Sequence, residues 1–319
     1  MREEALEYIA CPICKTSLDI GVVKEREGHH IISGTLRCPT CSGTYLIARG
    51  VPNLLPPMVH SHDLTVGEAY TGYYSLVVPE GPRADSVLYG KTVEEEVLDF
   101  QMRMGIEELT LLEGKTFLDA GCGLARIEGV LSQHCSAVLG FDISPSVGQA
   151  FEAWRNLSNV HIVRGDIIFA PVLSGKFDLV WCDGVLPYVS DLSTAIAELL
   201  RARSPTGFLY SWCYGPRLTI SHRLGRAFRA TRLPVRVRFS LIYLLSILIK
   251  MGISIKKGVN MLKDVQPFAQ GVLDASLAAH IHRVSEDQIK SMLTKGLGGG
   301  VPVRVEAKDR RIDFWVGSL

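Results

Sequence analysis

Thr116-Phe-Leu-Asp-Ala-Gly-Cys-Gly-Leu-Ala-Arg126 is a short apolar run followed by a turn that contains two glycines. The apolar run is typical of a buried strand, and the glycines predict a tight turn at its carboxyl end. Three more strand-like runs follow at regular intervals, at residues 137–141, 160–163 and 177–181. Because helical patterns fill the gaps between them, the repeat is β-α-β and predicts a parallel sheet.

Each of the four predicted strands has an acidic residue at or just after its carboxyl end: Asp119, Asp142, Asp166 and Asp183. Ligands of such sheets bind at this edge, so we expect the four carboxyl groups to surround one site. A dinucleotide fingerprint would need a glycine at position 126, where Arg126 stands. Asp119 beside the turn would repel a pyrophosphate, but it suits a ligand that carries an ammonium group and no phosphate.

S-adenosylmethionine is such a ligand, with an α-ammonium group, a sulfonium centre and a ribose. Gly121 and Gly123 let the backbone pass close to the ligand, because any Cβ would occupy that space. Asp142 lies 23 residues after Asp119 and can accept hydrogen bonds from both ribose hydroxyls.

The adenine and methionine ends of the cofactor also find suitable residues. Ile143 and Ile167 offer apolar faces to the adenine ring, Asp166 can accept from its exocyclic amine, and Asp183 lies beside the methionine part. The predicted cofactor site comprises Asp119, Gly121, Cys122, Gly123, Asp142, Ile143, Asp166, Ile167 and Asp183.

The stretches FLDAGCGLAR, FDIS, GDI, FDLVWCDGVLPYVSD and SPTGFLYSW resemble the class I S-adenosylmethionine-dependent methyltransferases over about residues 100–213. The resemblance implies an α/β fold with a Rossmann-like seven-stranded sheet, mostly parallel with an antiparallel last strand. Residues 301–306 and 311–316 are similar to its closing hairpin. Ala125 stands where many members have glycine, and Pro187-Tyr188 replaces a frequent His-His pair.

Methyl transfer from a sulfonium depends mainly on alignment, and a general base helps only if the acceptor must lose a proton. No motif supports any one base, so the catalytic residue is left unassigned. The candidates are Asp183, Tyr188, His222, His280 and His282.

Two CxxC pairs, Cys11–Cys14 and Cys38–Cys41, lie near the N-terminus and are separated by 23 residues. Two such knuckles form the tetrahedral four-sulfur site that structural zinc favours, and the filled ligand set leaves no catalytic position. Strands at residues 18–23 and 30–37, joined by a turn at 24–28, complete a zinc ribbon. The segment resembles, over about residues 5–57, the small zinc-ribbon proteins that activate tRNA and release-factor methyltransferases.

We therefore expect a zinc ribbon at residues 1–57, a linker and helical cap at 58–91, and a methyltransferase domain at 92–319. Within this domain, residues 92–112 read as a helix, and residues 192–203 read as another. Tyr70, Tyr73 and Tyr74 could close over the cofactor, although packing within the linker is the favoured interpretation.

The 34 Lys and Arg balance the 33 Asp and Glu, but 13 basic and no acidic residues lie between residues 199 and 263. This leaves 21 basic against 33 acidic residues elsewhere, so the net charge of +1 does not exclude a polyanionic partner. Most of the basic residues fall in a helical insertion at 214–275, after the fifth strand. The set is Arg201, Arg203, Arg217, Arg223, Arg226, Arg229, Arg232, Arg236, Arg238, Lys250, Lys256, Lys257 and Lys263.

Three interpretations of the insertion stay open. It is a lid over a small anionic or carrier-linked acceptor, a surface at 217–257 for peripheral membrane contact or a lipid-linked acceptor, or an RNA-binding face. The corresponding functions are a small-molecule methyltransferase acting on O, N or C and an rRNA or tRNA methyltransferase. A non-catalytic zinc-ribbon adaptor is a third option, disfavoured by the intact acids. Some rRNA guanine-N1 enzymes join a zinc module to the same fold.

The longest apolar run, residues 239–249, is shorter than the roughly 20 residues of a membrane span and predicts a buried or interfacial helix. The N-terminal residues contain no apolar stretch typical of a secretory signal. With eight cysteines, too sparse for a disulfide scaffold, these features predict a cytoplasmic protein.

Overall fold

The computed structural model describes residues 1–83, 86–217, 219–231, 233–258, 260, 265–278, 280–297, 300–308 and 310–318. For residues 257 and 267 it describes the backbone and not the side chain. Two of the basic residues singled out above, Arg232 and Lys263, therefore lie outside the described residues, as does the side chain of Lys257.

The N-terminal module is a four-stranded antiparallel sheet in the order β1-β2-β3-β4. Its strands are β1 (Asp19–Glu27), β2 (His30–Arg37), β3 (Thr44–Ala48) and β4 (Val51–Pro52). The predicted second strand agrees with β2, whereas β1 runs through most of the predicted turn. The chain turns at Gly28, which adopts a left-handed backbone conformation with φ of 55°.

The main sheet has seven strands in the order β10-β11-β9-β8-β5-β6-β7. The pairs from β9 to β7 are parallel, and β11 is antiparallel to its two neighbours, which confirms the predicted fold class. The strands are β5 (Thr116–Ala120), β6 (Ala137–Asp142), β7 (Val160–Arg164), β8 (Phe177–Cys182), β9 (Arg203–Tyr214), β10 (Val303–Lys308) and β11 (Arg311–Val316).

Helices cover both faces of this sheet and one of its ends. They are α1 (Ser61–Val77), α2 (Val93–Met104), α3 (Glu128–Leu131), α4 (Val147–Trp154), α5 (Leu192–Ala202), α6 (Ile220–Ala230), α7 (Val235–Lys257), α8 (Val265–Leu277) and α9 (Glu286–Gly296). Short 3₁₀ turns occur at residues 3–7, 109–112, 167–169 and 186–188.

The helix predicted at residues 92–112 is shorter in the structure. Thr92 and Glu95 form a capping box at the start of α2, and Gly105, with φ of 70°, ends the helix after Met104. Residues 109–112 form a separate 3₁₀ turn.

The ribbon packs against the free edge of the main sheet. Leu54 donates its backbone N–H to the carbonyl oxygen of Arg164 in β7 at 2.8 Å, so the segment after β4 continues the sheet. Lys15 forms a 2.6 Å ion pair with Glu198 of α5, and the rings of Tyr8 and His161 stack at 5.8 Å. The ribbon and one face of the sheet therefore share one core.

The insertion after β9 consists of α6, α7 and α8. The apolar helix α7 has 23 residues, because the apolar pattern continues on both sides of the run at 239–249. Residues 235–256 are long and apolar enough to cross a membrane by length and composition, but only 11% of the most apolar window is buried in the protein. The helix is therefore an exposed element, not the buried helix that was one of the two expectations.

Candidate functional site

A cavity of about 390 Å³ lies at the carboxyl ends of the strands of the main sheet. All nine residues of the predicted cofactor site line it: Asp119, Gly121, Cys122, Gly123, Asp142, Ile143, Asp166, Ile167 and Asp183. The topology brings them together, because parallel strands end at the same edge of the sheet.

The glycine turn after β5 depends on the absence of side chains. Gly121 and Gly123 have φ of 91° and 56°, in the left-handed region that glycine adopts without strain. A Cβ on Gly121 would overlap the side chain of Val185, and one on Gly123 would lie 2.8 Å from the Oη atom of Tyr74. Ala125 shares this conformation with φ of 54°, in the backbone region that favours glycine.

Asp142 connects the turn to the end of β6. Its Oδ2 accepts from the backbone N–H of Gly123 at 2.9 Å, and its Oδ1 accepts from that of Ser144 at 2.7 Å. These bonds fix the carboxyl group at the cavity wall, although burial raises its pKa. Each oxygen keeps a second lone pair for ligand hydroxyls.

Asp166 is 2% exposed, and its Oδ1 accepts from the backbone N–H of Ile168 at 3.0 Å. Its Oδ2 is buried without a hydrogen-bond partner among the described residues. Burial raises the pKa of this carboxyl to about 6. Since buried polar atoms rarely lack partners, this atom fits a ligand donor such as an adenine amine.

Asp119, at the end of β5, is buried beside the fully buried Glu128 of α3. Burial, followed by the negative charge of Glu128, raises the pKa of Asp119 well above its ordinary value. A cationic group near this pair would stabilise its ionised form, which fits the α-ammonium of the predicted cofactor.

Asp183 lies at the more exposed end of the cavity. Its Oδ2 accepts from Arg103 at 2.8 Å, and its Oδ1 accepts from the indole N–H of Trp212. These partners hold the carboxylate in place, so it is better suited to position a ligand than to accept a proton.

Tyrosine side chains line another part of the cavity. Tyr70 and Tyr74 of α1 line the cavity. Tyr73 is buried and does not line the cavity, so the expected packing within the linker describes this tyrosine alone among the three. Burial raises the pKa values of these phenols, so they stay protonated near neutral pH and can donate hydrogen bonds. The cavity-lining tyrosines are Tyr70, Tyr74, Tyr89, Tyr188 and Tyr214.

Asp274 of α8 lines the same cavity and was not predicted as a site residue. Its Oδ1 accepts from the Nε2 of Gln270 at 2.7 Å and from the Oη of Tyr70 at 3.3 Å. Tyr73 in turn donates to the Oε1 of Gln270 at 2.5 Å. Burial raises the pKa of Asp274 to about 7. A carboxyl group that is held in place and titrates near neutrality can take a proton from a bound acceptor.

Some of the candidate bases proposed from the sequence line the cavity and others do not. Within the part of the chain that the structure describes, His222, His280 and His282 do not line the cavity. His222 is buried with its Nδ1 2.5 Å from the hydroxyl of Thr219, and burial lowers its pKa to about 4. Asp183 and Tyr188 do line the cavity.

The described cationic side chains of the insertion do not line this cavity. Among its described residues, those that line the cavity are Tyr214, Gln270 and Asp274, and none of them is basic. The interpretation of the insertion as a lid therefore draws its support from these three residues and not from the described basic side chains.

The Sγ atoms of Cys11, Cys14, Cys38 and Cys41 all lie within 4.8 Å of one another. The Cys11–Cys41 and Cys14–Cys38 Sγ distances are 3.5 Å and 3.3 Å, near the roughly 3.8 Å edge of a tetrahedral zinc–thiolate site. The arrangement fits one zinc ion.

Two hydroxyl groups near these cysteines were not predicted from the sequence. The Oη of Tyr45 lies 3.1 Å from the Sγ of Cys11, and the Oγ1 of Thr16 lies 3.1 Å from that of Cys14. Both hydroxyls can donate to thiolates and would support their ionised form.

Comparison with known protein families finds two regions of the chain that match family models. Residues 118–211 match the family model described as a methyltransferase domain, and residues 2–50 match the model of Trm112p-like proteins. The chain thus combines a methyltransferase domain with a Trm112p-like N-terminal domain.

Two curated relatives illustrate the similarity. The malonyl-[acyl-carrier protein] O-methyltransferase of Erwinia billingiae is 34% identical over 133 residues, which cover 40% of this chain and 49% of that protein. An uncharacterized chloroplastic methyltransferase of Arabidopsis thaliana is 27% identical over 222 residues, covering 63% and 60%. The chain spans about a third to a half of the length of the first curated relatives it matches.

Among solved structures, the chain is similar to a complex between the Haloferax volcanii Trm112 methyltransferase activator and a methyltransferase. The match has 12% identity and a TM-score of 0.43, and it covers 78% of this chain and 97% of that one.

Proposed function

We propose that the protein is an S-adenosylmethionine-dependent methyltransferase with a structural zinc ion in its N-terminal ribbon. The observation that carries the proposal is the placement of all nine predicted cofactor residues around one cavity, which Asp274 and the tyrosines also line. The matched methyltransferase domain supports the same reaction class.

The chain's residues would orient the cofactor and leave its methyl group facing the acceptor. When bound, S-adenosylmethionine supplies an activated methyl group, whose bond to sulfur breaks as the acceptor's lone pair attacks the carbon. Asp142 would hold the ribose, Asp166 the adenine amine, and Asp119 the ammonium group. Alignment and the exclusion of water by the surrounding walls account for most of the acceleration.

Asp274 is the base in this proposal. Its Oδ1 is held by Gln270 and Tyr70, and its Oδ2 has no hydrogen-bond partner among the described residues. A hydroxyl or amine acceptor would transfer its proton to Oδ2 while its lone pair forms the new bond to the methyl carbon. With a pKa of about 7, Asp274 is increasingly ionised above neutral pH and able to accept this proton.

We propose that the acceptor is a small hydroxyl or amine compound with an apolar or aromatic body, linked to a lipid or a carrier protein. The aromatic lining of the cavity supports the apolar body. A carrier-linked acceptor gains support from the relative named as acting on malonyl-[acyl-carrier protein]. Transfer to RNA is the alternative.

A transfer assay with methyl-labelled S-adenosylmethionine tests this proposal. The full-length protein is incubated separately with a lipid extract, with a 3-hydroxyacyl-acyl carrier protein, which offers a carrier-linked hydroxyl group, and with bulk tRNA. We expect label in the lipid or carrier fraction, with a rate that rises as the pH passes about 7. The Asp274→Asn variant should lose about 100-fold in rate for a hydroxyl or amine acceptor, because it lacks the base.

The same variant provides its own control, since Asp274→Asn should bind S-adenosylmethionine as tightly as the wild type. Label in tRNA alone, or in none of the three fractions, would overturn the proposed acceptor class. A full rate in Asp274→Asn would remove Asp274 from the role of base.

A further inference from the structure

Helix α7 exposes a straight row of apolar side chains. They recur at alternating intervals of four and three residues and are between 42% and 82% exposed. On a helix with 3.6 residues per turn, this spacing places them within an arc of roughly 80° over about 27 Å. We call this row the α7 stripe; it consists of Val237, Leu241, Leu244, Leu248, Met251 and Ile255.

The opposite side of α7 is fixed to the protein. Ile242 and Ser246 are each 1% exposed, and Ile242 belongs to a core cluster with Tyr73 of α1 and with Val272 and Leu273 of α8. Both of these helices also contribute walls of the cavity. The α7 stripe is therefore an outer face of the layer that encloses the acceptor side of the site.

Positive charges flank the α7 stripe. The exposed side chains of Arg236 and Lys256 lie about 100° to either side of its axis by helical geometry. The sequence has no acidic residue between 199 and 263. Two copies paired through this face would bring basic groups against basic groups, whereas an anionic surface would be attracted.

We propose that the α7 stripe docks on the surface of an anionic lipid bilayer. The apolar side chains enter the boundary between headgroups and acyl chains, while Arg236 and Lys256 reach the lipid phosphates. The buried face of α7 stays against α1 and α8, so the helix lies in the membrane plane although it is long enough to cross.

This contact adds to the proposed function. Only the role of the contact in delivering the acceptor rests on the proposed function. A protein docked through α7 holds the helices that wall the cavity next to the bilayer. A lipid-linked acceptor would then need to leave the membrane only in part. Vesicle binding itself requires no methyl transfer.

Flotation with lipid vesicles tests the docking surface. We expect the full-length protein to float with vesicles of phosphatidylcholine and phosphatidylglycerol, and much less with phosphatidylcholine alone. Leu244→Glu/Leu248→Glu should weaken binding to the anionic vesicles at least about 10-fold, because it places two charges in the apolar row. Arg236→Glu/Lys256→Glu should weaken it by a similar factor, since it replaces two positive charges beside the lipid phosphates with negative ones.

The matched control is Leu98→Glu/Met102→Glu on α2, where the two side chains are 58% and 71% exposed. This variant should bind vesicles like the wild type. Equal vesicle binding by the Leu244→Glu/Leu248→Glu variant would overturn the proposal. So would a wild-type dimer that this variant dissociates, or binding to tRNA without binding to vesicles. The stripe variant should still bind S-adenosylmethionine, so its failure on vesicles is distinguishable from failure of the proposed function.

Discussion

The carboxyl group of Asp274 combines a fixed position with an environment that disfavours its charge. Gln270 and Tyr70 donate to one oxygen, yet burial raises its pKa to about 7. Residues that serve chemistry in this way commonly reduce stability, and removing them can stabilise the fold. The same carboxyl is therefore expected to lower stability at the pH where it would act.

Asp274→Asn should increase the free energy of unfolding at pH 8 by about 4 kcal/mol and have little effect near pH 4. The pKa of this group is about 7 in the folded state and about 3.9 in the unfolded state. Its contribution to stability is thus fully present below about pH 4 and is lost as the pH rises through about 7. Asparagine keeps the acceptor for Gln270 and Tyr70 and has no charge to lose.

Urea unfolding between pH 4 and pH 8 measures this difference. Asp287→Asn, on the exposed side of α9, is the control and should change stability by less than about 0.5 kcal/mol at either pH. A variant that is less stable than the wild type at pH 8 would show that the charged form of Asp274 is favoured in the fold.

The sequence allowed the residues around Asp119 and Asp142 to be predicted, because parallel strands must end at one edge. Asp274 could not be found that way, since its approach to this edge depends on how α8 packs. The one sequence feature that could have drawn attention to Asp274 is the scarcity of acidic residues around it. Asp264 and Asp274 are the two acidic residues between 199 and 285.

At the scale of elements, the turn after β5 shows how local rules and tertiary contacts agree. A tight turn with two glycines was predicted from the sequence. The structure shows that both glycines are left-handed, and it shows that a side chain there would meet Val185 or Tyr74. Those contacts lie far apart in the chain, so sequence spacing alone could not identify them.

Helix α7 is an element whose length and exposed side could not be predicted from local sequence rules. Its apolar run was recognised, but its full length of 23 residues was not, because arginines and lysines interrupt the apolar pattern near both ends. Local hydropathy also could not show which side packs on α8 and which side is left exposed. That division depends on the whole insertion.

At the scale of the whole molecule, the ribbon and the methyltransferase sheet form one body. The segment after β4 pairs with β7, and residues such as Ile9 and Val172 share a core across the two modules. The sequence identified both modules but not the contact between them. Neither sequence pattern indicates which edge of the main sheet the ribbon covers.

Zinc removal should therefore affect more than the ribbon. Metal analysis of the purified chain should find about one zinc per molecule, and Cys38→Ser should lose most of it and lower the Tm by several degrees. The reason is that the ribbon's own core is small and one edge of the main sheet depends on it. Cys135→Ala, outside the cluster, should retain the zinc. Full stability of a zinc-free protein would contradict this dependence.

The distribution of charge is also a property of the whole molecule, and the net charge does not show it. The net charge of +1 results from an acidic body and a basic insertion, and the described basic side chains of that insertion lie outside the cavity. Composition predicted the asymmetry, whereas only the fold shows that it belongs to an outer surface.

Titration of the zinc-loaded protein with S-adenosylmethionine in a calorimeter tests the central claim most directly. We expect one molecule bound per chain, and at least about 30-fold weaker binding by Gly121→Ala, whose added Cβ meets Val185 and whose φ of 91° disfavours alanine. Gly148→Ala on α4, where a Cβ has open space, makes the same substitution and should bind like the wild type. Asp142→Asn, which keeps a side-chain acceptor for the turn, provides a second weakened variant if Gly121→Ala does not fold. No heat from the wild type, or undiminished binding by folded Gly121→Ala, would contradict the assignment of this cavity to the cofactor.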